Sequence, residues 1–299
     1  MTQQPESPQK THRTIHSIFK KGSKTYFYNS LFFPRDVKND VFVLYSFVRK
    51  ADNYVDRLPI REGALVEFRG YYERSLAGHR ANDVVIDSFV DLMHRRHFQP
   101  AWVEAFLDSM AMDLSKKRYE TIEETEKYIY GSAEVIGLMM ASIFRVDPRH
   151  FPEAKALGKA MQFINFLRDI AEDLTLGRIY FPQDELHSFG LDTLEYEHVM
   201  DRPDEFRDFI RHQIRRYAIW QRQGEEGFPA LPRRYRIPVM AASDMYNWTA
   251  RRIARNPFIV YQRKVKPSLA RIVVNVMGRK ITLGSSRARS RPRPALFLP

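Results

Sequence analysis

Residues Gln162 to Pro182 read QFINFLRDIAEDLTLGRIYFP, and within them Asn165, Asp169 and Asp173 recur every fourth position. On an α-helix that spacing stacks the three side chains on one face. Their neighbours Phe163, Ile164, Phe166, Leu167 and Ile170 leave little of the helix for a solvated surface, so the aspartates need a wet cavity. Upstream, Leu157, Met161 and Ile164 keep the apolar stripe at helical spacing. Asp147-Pro148 is an N-cap followed by proline at the first helical position. The pattern predicts a helix from there to Gly177, with a row of carboxylates facing a cavity.

A second string of this kind, Asp52-Asn53-Tyr54-Val55-Asp56, closes an amphipathic helix predicted for residues 37 to about 58. Its apolar stripe is Leu44, Tyr45, Val48 and Val55. Like charges at i, i+4 disfavour a helix by about 0.2–0.5 kcal/mol per pair unless a cation offsets them. Paired hard oxygens suit Mg²⁺, which bridges one or two carboxylates to substrate phosphates; Mn²⁺ is the substitute. A lone D-x-x-x-D is usually a solvated helix face. Two copies inside apolar helices, one extended by Asn165 and crowded by Glu172, instead predict a metal site of Asp52, Asp56, Asn165, Asp169 and Asp173.

Arginines flank both strings. Arg49 shares a face with Asp52, and Arg168 adjoins Asp169. Their planar forks fit phosphate oxygens, and they also support the carboxylates beside them. For Arg178, which precedes Tyr180, phosphate contact and an ordinary ion pair stand level.

Elsewhere apolar residues recur at three and four, glycines number only 13, and no run of alternating β-branched residues occurs. The fold class is therefore all-α: about eight to ten helices, no sheet, and a single domain over residues 13–284. Thr121 and Glu124 form a capping box opening a helix towards Phe144. Pro100, Pro203 and Pro238 read as further helix openers, and Pro34 and Asp36 precede the helix of the first motif. The longest irregular stretch lies between Gly177 and Pro203. Residues 1–12 and 285–299, the latter with its SRARSRPRPA alternation, read as disordered ends.

Composition narrows the function. At 299 residues, 44% hydrophobic and 28% charged, the chain is that of a folded globular protein. Zero cysteines exclude disulfides, thiolate catalysis and cysteine-ligated metal sites. No uninterrupted apolar stretch approaches the roughly 18 residues of a membrane span, and the polar N-terminus shows no secretory signal. A cytoplasmic location is expected. The net charge of +12 resides at one end: up to Asp244 there are 35 basic and 36 acidic residues, and Met245–Pro299 adds 13 basic residues and no acid. Arg287, Arg289, Arg291 and Arg293 lack aromatic neighbours for base stacking, so no specific nucleic-acid partner is expected. The apolar stretch Ile272–Met277, between Arg271 and Arg279-Lys280, suits an anionic membrane surface at about 1 kcal/mol per basic residue. A last core helix with a solvated tail is the other reading. No oligomeric state follows from the sequence.

Taken together, four strings resemble the squalene/phytoene synthase family of head-to-head prenyl transferases. They are Ser23-Lys24-Thr25-Tyr26, Leu44 to Asp56, Tyr130 to Met139, and Gln162 to Pro182. The resemblance runs from about Ser17 to Lys266 and is most specific in the last string. It implies an isoprenoid-synthase helical fold with two Asp-rich helices facing each other across a central cavity. It also implies two prenyl diphosphates held through Mg²⁺, with Asp52 and Asp56 on one wall and Asn165, Asp169 and Asp173 on the other. Arg49, Arg168, Gln162, Tyr246 and Arg263 match positions on the substrate side, and Ser23 and Tyr45 match positions near the reacting centre. Tyr45 is a candidate proton-handling group, set against a satisfied buried phenol. Many members carry Gly where this chain has Glu134; the S-A-E-V form looks like the phytoene-synthase branch, and a structural and a cavity role both stay open for that carboxylate.

The reaction so implied is condensation of two geranylgeranyl diphosphates, through a cyclopropyl diphosphate, to phytoene, with no NADPH expected. Tyr26, Phe27, Phe47, Phe163 and Phe166 are candidate rings around the cationic intermediates, with plain core as their other reading. The alternative is squalene or dehydrosqualene synthesis from two farnesyl diphosphates, and cavity depth decides between them. A non-catalytic relative acting in assembly should have lost carboxylates from one motif, whereas all four aspartates and Asn165 remain.

Overall fold

A computed structural model describes residues 13–19, 30–56 and 62–285. The expected disordered ends, apart from Ser285, lie outside the described residues, as do Ser23, Tyr26 and Phe27. Residues 13–19 are helical. There follow α1 (Arg35–Asp56), α2 (Glu62–Leu76), α3 (Val84–Arg96), α4 (Pro100–Ser115), β1 (Arg118–Tyr119) and α5 (Ile122–Ile129). A π-helical turn, Tyr130–Glu134, leads into α6 (Val135–Ile143), and a 3₁₀ turn, Pro148–His150, into α7 (Phe151–Thr175). The chain continues with β2 (Ile179–Pro182), α8 (Gln183–Ser188), α9 (Tyr196–Asp201), α10 (Pro203–Glu226), α11 (Arg233–Arg255), α12 (Ile259–Gln262) and α13 (Leu269–Ser285).

The local signals act mostly as read. Asp147 caps the turn before α7 by accepting from the Arg149 N–H at 3.0 Å, and α7 then runs to Thr175, with Gly177 in the left-handed region at φ 69°. Thr121 caps α5, although the Glu124 carboxylate accepts from the Glu120 N–H rather than reaching back to Thr121. Pro100 and Pro203 open α4 and α10. Pro238 does not open a helix. It lies inside α11, which starts after Pro232, because Tyr235 draws the preceding turn into the core. The Tyr235 ring stacks on Phe144 at 5.3 Å and its hydroxyl donates to Asp36 at 2.7 Å.

Two other expectations need correction. The helices outnumber the expected eight to ten because α8, α9 and α12 are only four to six residues long, too short to leave a periodic signature. Secondly, β1 and β2 form a parallel pair, with the Ile179 N–H donating to the Lys117 carbonyl at 2.9 Å. Strands of two and four residues carry no readable alternation, yet this pairing carries Arg178 and Tyr180 back against α4.

The helices pack around two apolar clusters, one largely from α1 to α6 and the other largely from α7 to α12. Glycines let α7 approach its neighbours closely. A Cβ on Gly137 would lie 2.3 Å from the Ala154 carbonyl oxygen, one on Gly158 2.5 Å from that of Ala133, and one on Gly224 2.7 Å from Leu157 Cα. Between these contacts, α1, α6, α7 and α11 enclose a cavity of about 320 Å³.

Candidate active site

The two acidic strings meet through Arg178. Asp52 and Asp56 occupy the last turns of α1, and Asn165, Asp169 and Asp173 lie on successive turns of α7. The Arg178 backbone N–H donates to the Asp173 carbonyl at 2.9 Å. Its guanidinium, only 2% exposed, donates to the Asp56 carboxylate at 2.8 Å and to the Val55 carbonyl at 2.7 Å. It also reaches the Asp113 carbonyl at 3.2 Å. Of its two open readings, Arg178 takes the ion pair: it clamps the end of α1 to the segment leaving α7.

Asp113 on α4 was not foreseen. It is buried and accepts from the hydroxyls of Tyr180 at 2.7 Å and Tyr128 at 2.8 Å, while its Oδ1 lies 3.9 Å from the Arg178 guanidinium. The available signal was a lone acid in the apolar run Met110-Ala111-Met112-Asp113-Leu114, which is rare unless the charge is paired. Lys264 was also missed. Its ammonium contacts Asp169 at 3.1 Å and also Glu172, whereas Arg263, the expected substrate-side residue, is exposed on the extended backbone just after α12.

The aspartates share one electrostatic field. Burial raises Asp52 to about 7, with Asp56 adding to the rise and Arg49 opposing it. Burial and the neighbouring Asp169 and Asp56 carboxylates push Asp173 well above the ordinary carboxylate range. Asp113 is raised to about 6, chiefly by burial, against the pull of Arg178 and the two tyrosine hydroxyls. Burial acts upward on Asp169 as well, but the Arg168 hydrogen bonds and charge, with Lys264, hold it below its usual value. Arg49 pairs with Asp52, and Arg168 with Asp169 through Nε at 2.9 Å. Both arginines therefore support their own motif here.

Below the acids the cavity is apolar. Gln162 and Asn165 line its acidic end, joined by a 3.5 Å hydrogen bond from Asn165 Nδ2 to Gln162 Oε1. Tyr45 lines it too, stacked on Phe19 with ring centroids 4.0 Å apart. The other aromatic walls are Phe33, Phe144 and Phe228. Phe47, Phe163 and Phe166 are core instead. Phe47 stacks on Phe89 at 3.7 Å and Phe166 on Tyr180 at 4.4 Å, on helix faces turned away from the cavity. Tyr246 is buried on α11 in the second cluster. Glu134 takes the structural role: its buried carboxylate pairs with Lys159 at 3.1 Å and Lys155 at 3.3 Å and does not line the cavity.

The donor set fits a hard divalent cation. All its groups are oxygens, and Asn165 Oδ1 is covered yet has no hydrogen-bond partner. Two of its carboxyls, Asp52 and Asp173, have a raised proton affinity that a cation would relieve. Among the described residues, no three carboxylate or imidazole groups converge tightly enough to cage an ion unaided.

Known proteins match most of this chain. The squalene/phytoene synthase family model matches residues 19–271. Phytoene synthase of Arthrospira platensis is 30% identical over 87% of this chain and 89% of its own. The 15-cis-phytoene synthase of a Synechocystis strain is 29% identical over 86% and 81%. In fold, the chain superposes on a dehydrosqualene synthase with TM-score 0.83 at 24% identity, covering 93% of this chain and 98% of that one. It matches a squalene synthase from Alicyclobacillus acidocaldarius with TM-score 0.75 at 22% identity, covering 84% and 95%. With the two acidic helices, the apolar cavity and a family match over most of its length, the chain belongs to the squalene/phytoene synthase family, whose members are prenyl transferases.

Proposed function

We propose that this protein condenses two geranylgeranyl diphosphates head to head, with Mg²⁺, to phytoene and diphosphate, a step of carotenoid biosynthesis. The observation that carries the proposal is the junction of two acidic helices at one end of an apolar cavity lined along α7. Its depth favours the twenty-carbon substrate. Lining residues on α7 extend from Asn165 to Glu153, and at 1.5 Å rise per residue that stretch measures about 18 Å. With carbon–carbon bonds of about 1.5 Å, each extended prenyl unit advances roughly 5 Å, so three units leave part of that length empty and four fill it.

Bound Mg²⁺ supplies Lewis-acid neutralisation of diphosphate charge; Asp52, Asp56, Asn165, Asp169 and Asp173 are the residues that would hold it. Arg49, Arg168 and Lys264, already beside these acids, are placed to take phosphate oxygens as the leaving group departs. The carbon–oxygen bond of the first substrate breaks to give an allylic cation and diphosphate. The double bond of the second attacks that cation, and loss of a proton closes the cyclopropane. A second ionisation, rearrangement and proton loss give the hydrocarbon. The apolar walls keep water from the cations, and the rings of Phe19 and Tyr45 stabilise them by about 0.5–2 kcal/mol each when well placed. Tyr45 is our candidate for handling a departing proton.

Among the described residues, no helix is long and apolar enough to cross a membrane. We extend the proposal to contact with an anionic membrane surface through α13, which exposes Val274 (70%) and Met277 (50%) beside Arg271. The reaction is tested with fifteen- and twenty-carbon diphosphates, with and without NADPH, and mass spectrometry of the hydrocarbon. Phytoene from the twenty-carbon substrate is expected, strictly dependent on Mg²⁺ and lost in Asp169→Asn. A folded Asp169→Asn protein working at the parent rate would sink the metal assignment, and squalene formed only with NADPH would replace the proposed product.

A further inference from the structure

The end of the cavity remote from the acids is polar. His150, which closes the 3₁₀ turn, and Glu153, in the first turn of α7, both line it, among Phe144, Phe228 and Leu231. Arg149 Nε–H donates to His150 Nε2 at 3.3 Å, which leaves the ring proton of the neutral imidazole on Nδ1. That Nδ1 lies 3.5 Å from Glu153 Oε1 without forming a hydrogen bond. Nδ1 and Glu153 Oε2 are both covered by protein and have no hydrogen-bond partner. The pair therefore depends for solvation on what remains open, 29% of the imidazole side chain and 27% of the carboxylate side chain. Gly227 lets the chain pass close against Glu153, since a Cβ there would meet Glu153 Cβ at 2.7 Å.

We propose that His150 and Glu153 form a polar end-stop that sets the length of the prenyl tail by solvation rather than by bulk. The inference rests on the reading that a prenyl tail fills this cavity from the acidic end. A tail of four prenyl units ends beside the pair and leaves its open surface wet. A fifth unit has to cover the part of the pair still open, 27% of the Glu153 side chain among it, with methyl groups, and so takes the carboxylate's remaining surface out of water while Nδ1 and Oε2 are covered already. Burying such groups unpaired costs on the order of a tenfold loss in binding, or more. Phe144, Phe228 and Leu231 give this end apolar bulk as well, and His150 and Glu153 are the two groups among them least compatible with a hydrocarbon.

The test uses the full-length protein and non-reactive thiolo-diphosphates of fifteen, twenty and twenty-five carbons, with affinity read by calorimetry. Affinity should rise from fifteen to twenty carbons and fall about tenfold at twenty-five. Glu153→Leu and His150→Phe should each remove most of that fall, and with reactive substrates should raise the twenty-five to twenty carbon product ratio. The ratio is taken within each variant, so a general loss of activity does not enter it. If Glu153→Leu does not fold, the wild-type series and His150→Phe decide the matter. Equal wild-type affinity for twenty and twenty-five carbons, or an unchanged ratio in the folded variants, overturns the end-stop. Failure of the wild type to turn over the twenty-carbon substrate overturns the functional reading instead, while the binding series still reports on the stop.

Discussion

Arg178→Met removes the clamp between the two acidic strings while keeping much of the side-chain volume. The wild-type guanidinium is buried, donates to one carboxylate and two backbone carbonyls, and lies 3.9 Å from the buried carboxylate of Asp113. Breaking a buried ion pair from one side costs about 3–5 kcal/mol, because the remaining charge stays in low dielectric. The stranded Val55 carbonyl belongs to the same network, so its contribution falls within that figure and does not add to it. A loss of about 4 kcal/mol corresponds to about 6 °C in Tm for a chain of this size. Urea unfolding at pH 8 measures it. At pH 5 the loss should be smaller. Asp113 sits at about 6 with the guanidinium beside it, and without it the carboxyl moves higher still and takes up a proton at pH 5, which discharges the stranded group. A loss below about 1 kcal/mol at pH 8, or an equal loss at both pH values, would refute the clamp.

Two further outcomes follow from the same charges. Asp52 and Asp113 are raised from 3.8 to about 7 and about 6, and Asp173 is raised as well. Groups raised in this way favour the fold below about pH 4, and that stability is lost as pH rises through 6 to 7. In EDTA the Tm should therefore be lower at pH 8 than at pH 5, by on the order of 2–4 kcal/mol of stability once screening at the 29%-exposed Asp52 is allowed for. Added Mg²⁺ should raise Tm more at pH 8, and a metal-free Tm that is flat or rising with pH contradicts the assignment. Deleting residues 286–299, which carry four arginines, should weaken binding to anionic liposomes in a flotation assay at low salt; unchanged binding removes the tail from the membrane reading.

What was legible in the sequence was whatever repeats locally. The row Asn165, Asp169, Asp173 and its apolar flanks specify both a helix and the face it turns to the site, because spacing and burial are encoded within a few turns. Arg178 was ambiguous because its partners Asp56 and Asp113 lie 122 and 65 residues away. Asp113 and Lys264 were invisible for the same reason: a single acid or lysine has no period, and its meaning comes from what another element brings to it. The aromatic residues show the limit from the other side. Phe166 lies one residue from Asn165, but that step turns it about 100° around the helix, onto Tyr180 and away from the cavity. Tyr45 lines the cavity from within the first motif, but the other lining phenyl rings, Phe19, Phe33, Phe144 and Phe228, come from four separate segments with no shared motif.

On the proposed function, the charge arrangement also bears on the order in which ligands arrive. Six carboxylates (Asp52, Asp56, Asp113, Asp169, Glu172 and Asp173) gather around four cations: Arg49, Arg168, Arg178 and Lys264. Each of those cations already has an acid partner, so on the proposed function this acidic end would repel a free diphosphate. Burial, reinforced by the neighbouring acids, makes the Asp52 and Asp173 carboxyls hold their protons more tightly, Asp52 up to about 7. On the proposed function, a divalent cation held there would displace those protons, so its apparent affinity would rise with pH and its binding would release acid. It would also take over from Arg168 and Lys264 the neutralising of Asp169, which would leave both cations for phosphate oxygens. The double reading that the sequence left for Arg168 would then be no contradiction: the same guanidinium would serve the carboxylate before the metal arrives and the diphosphate afterwards.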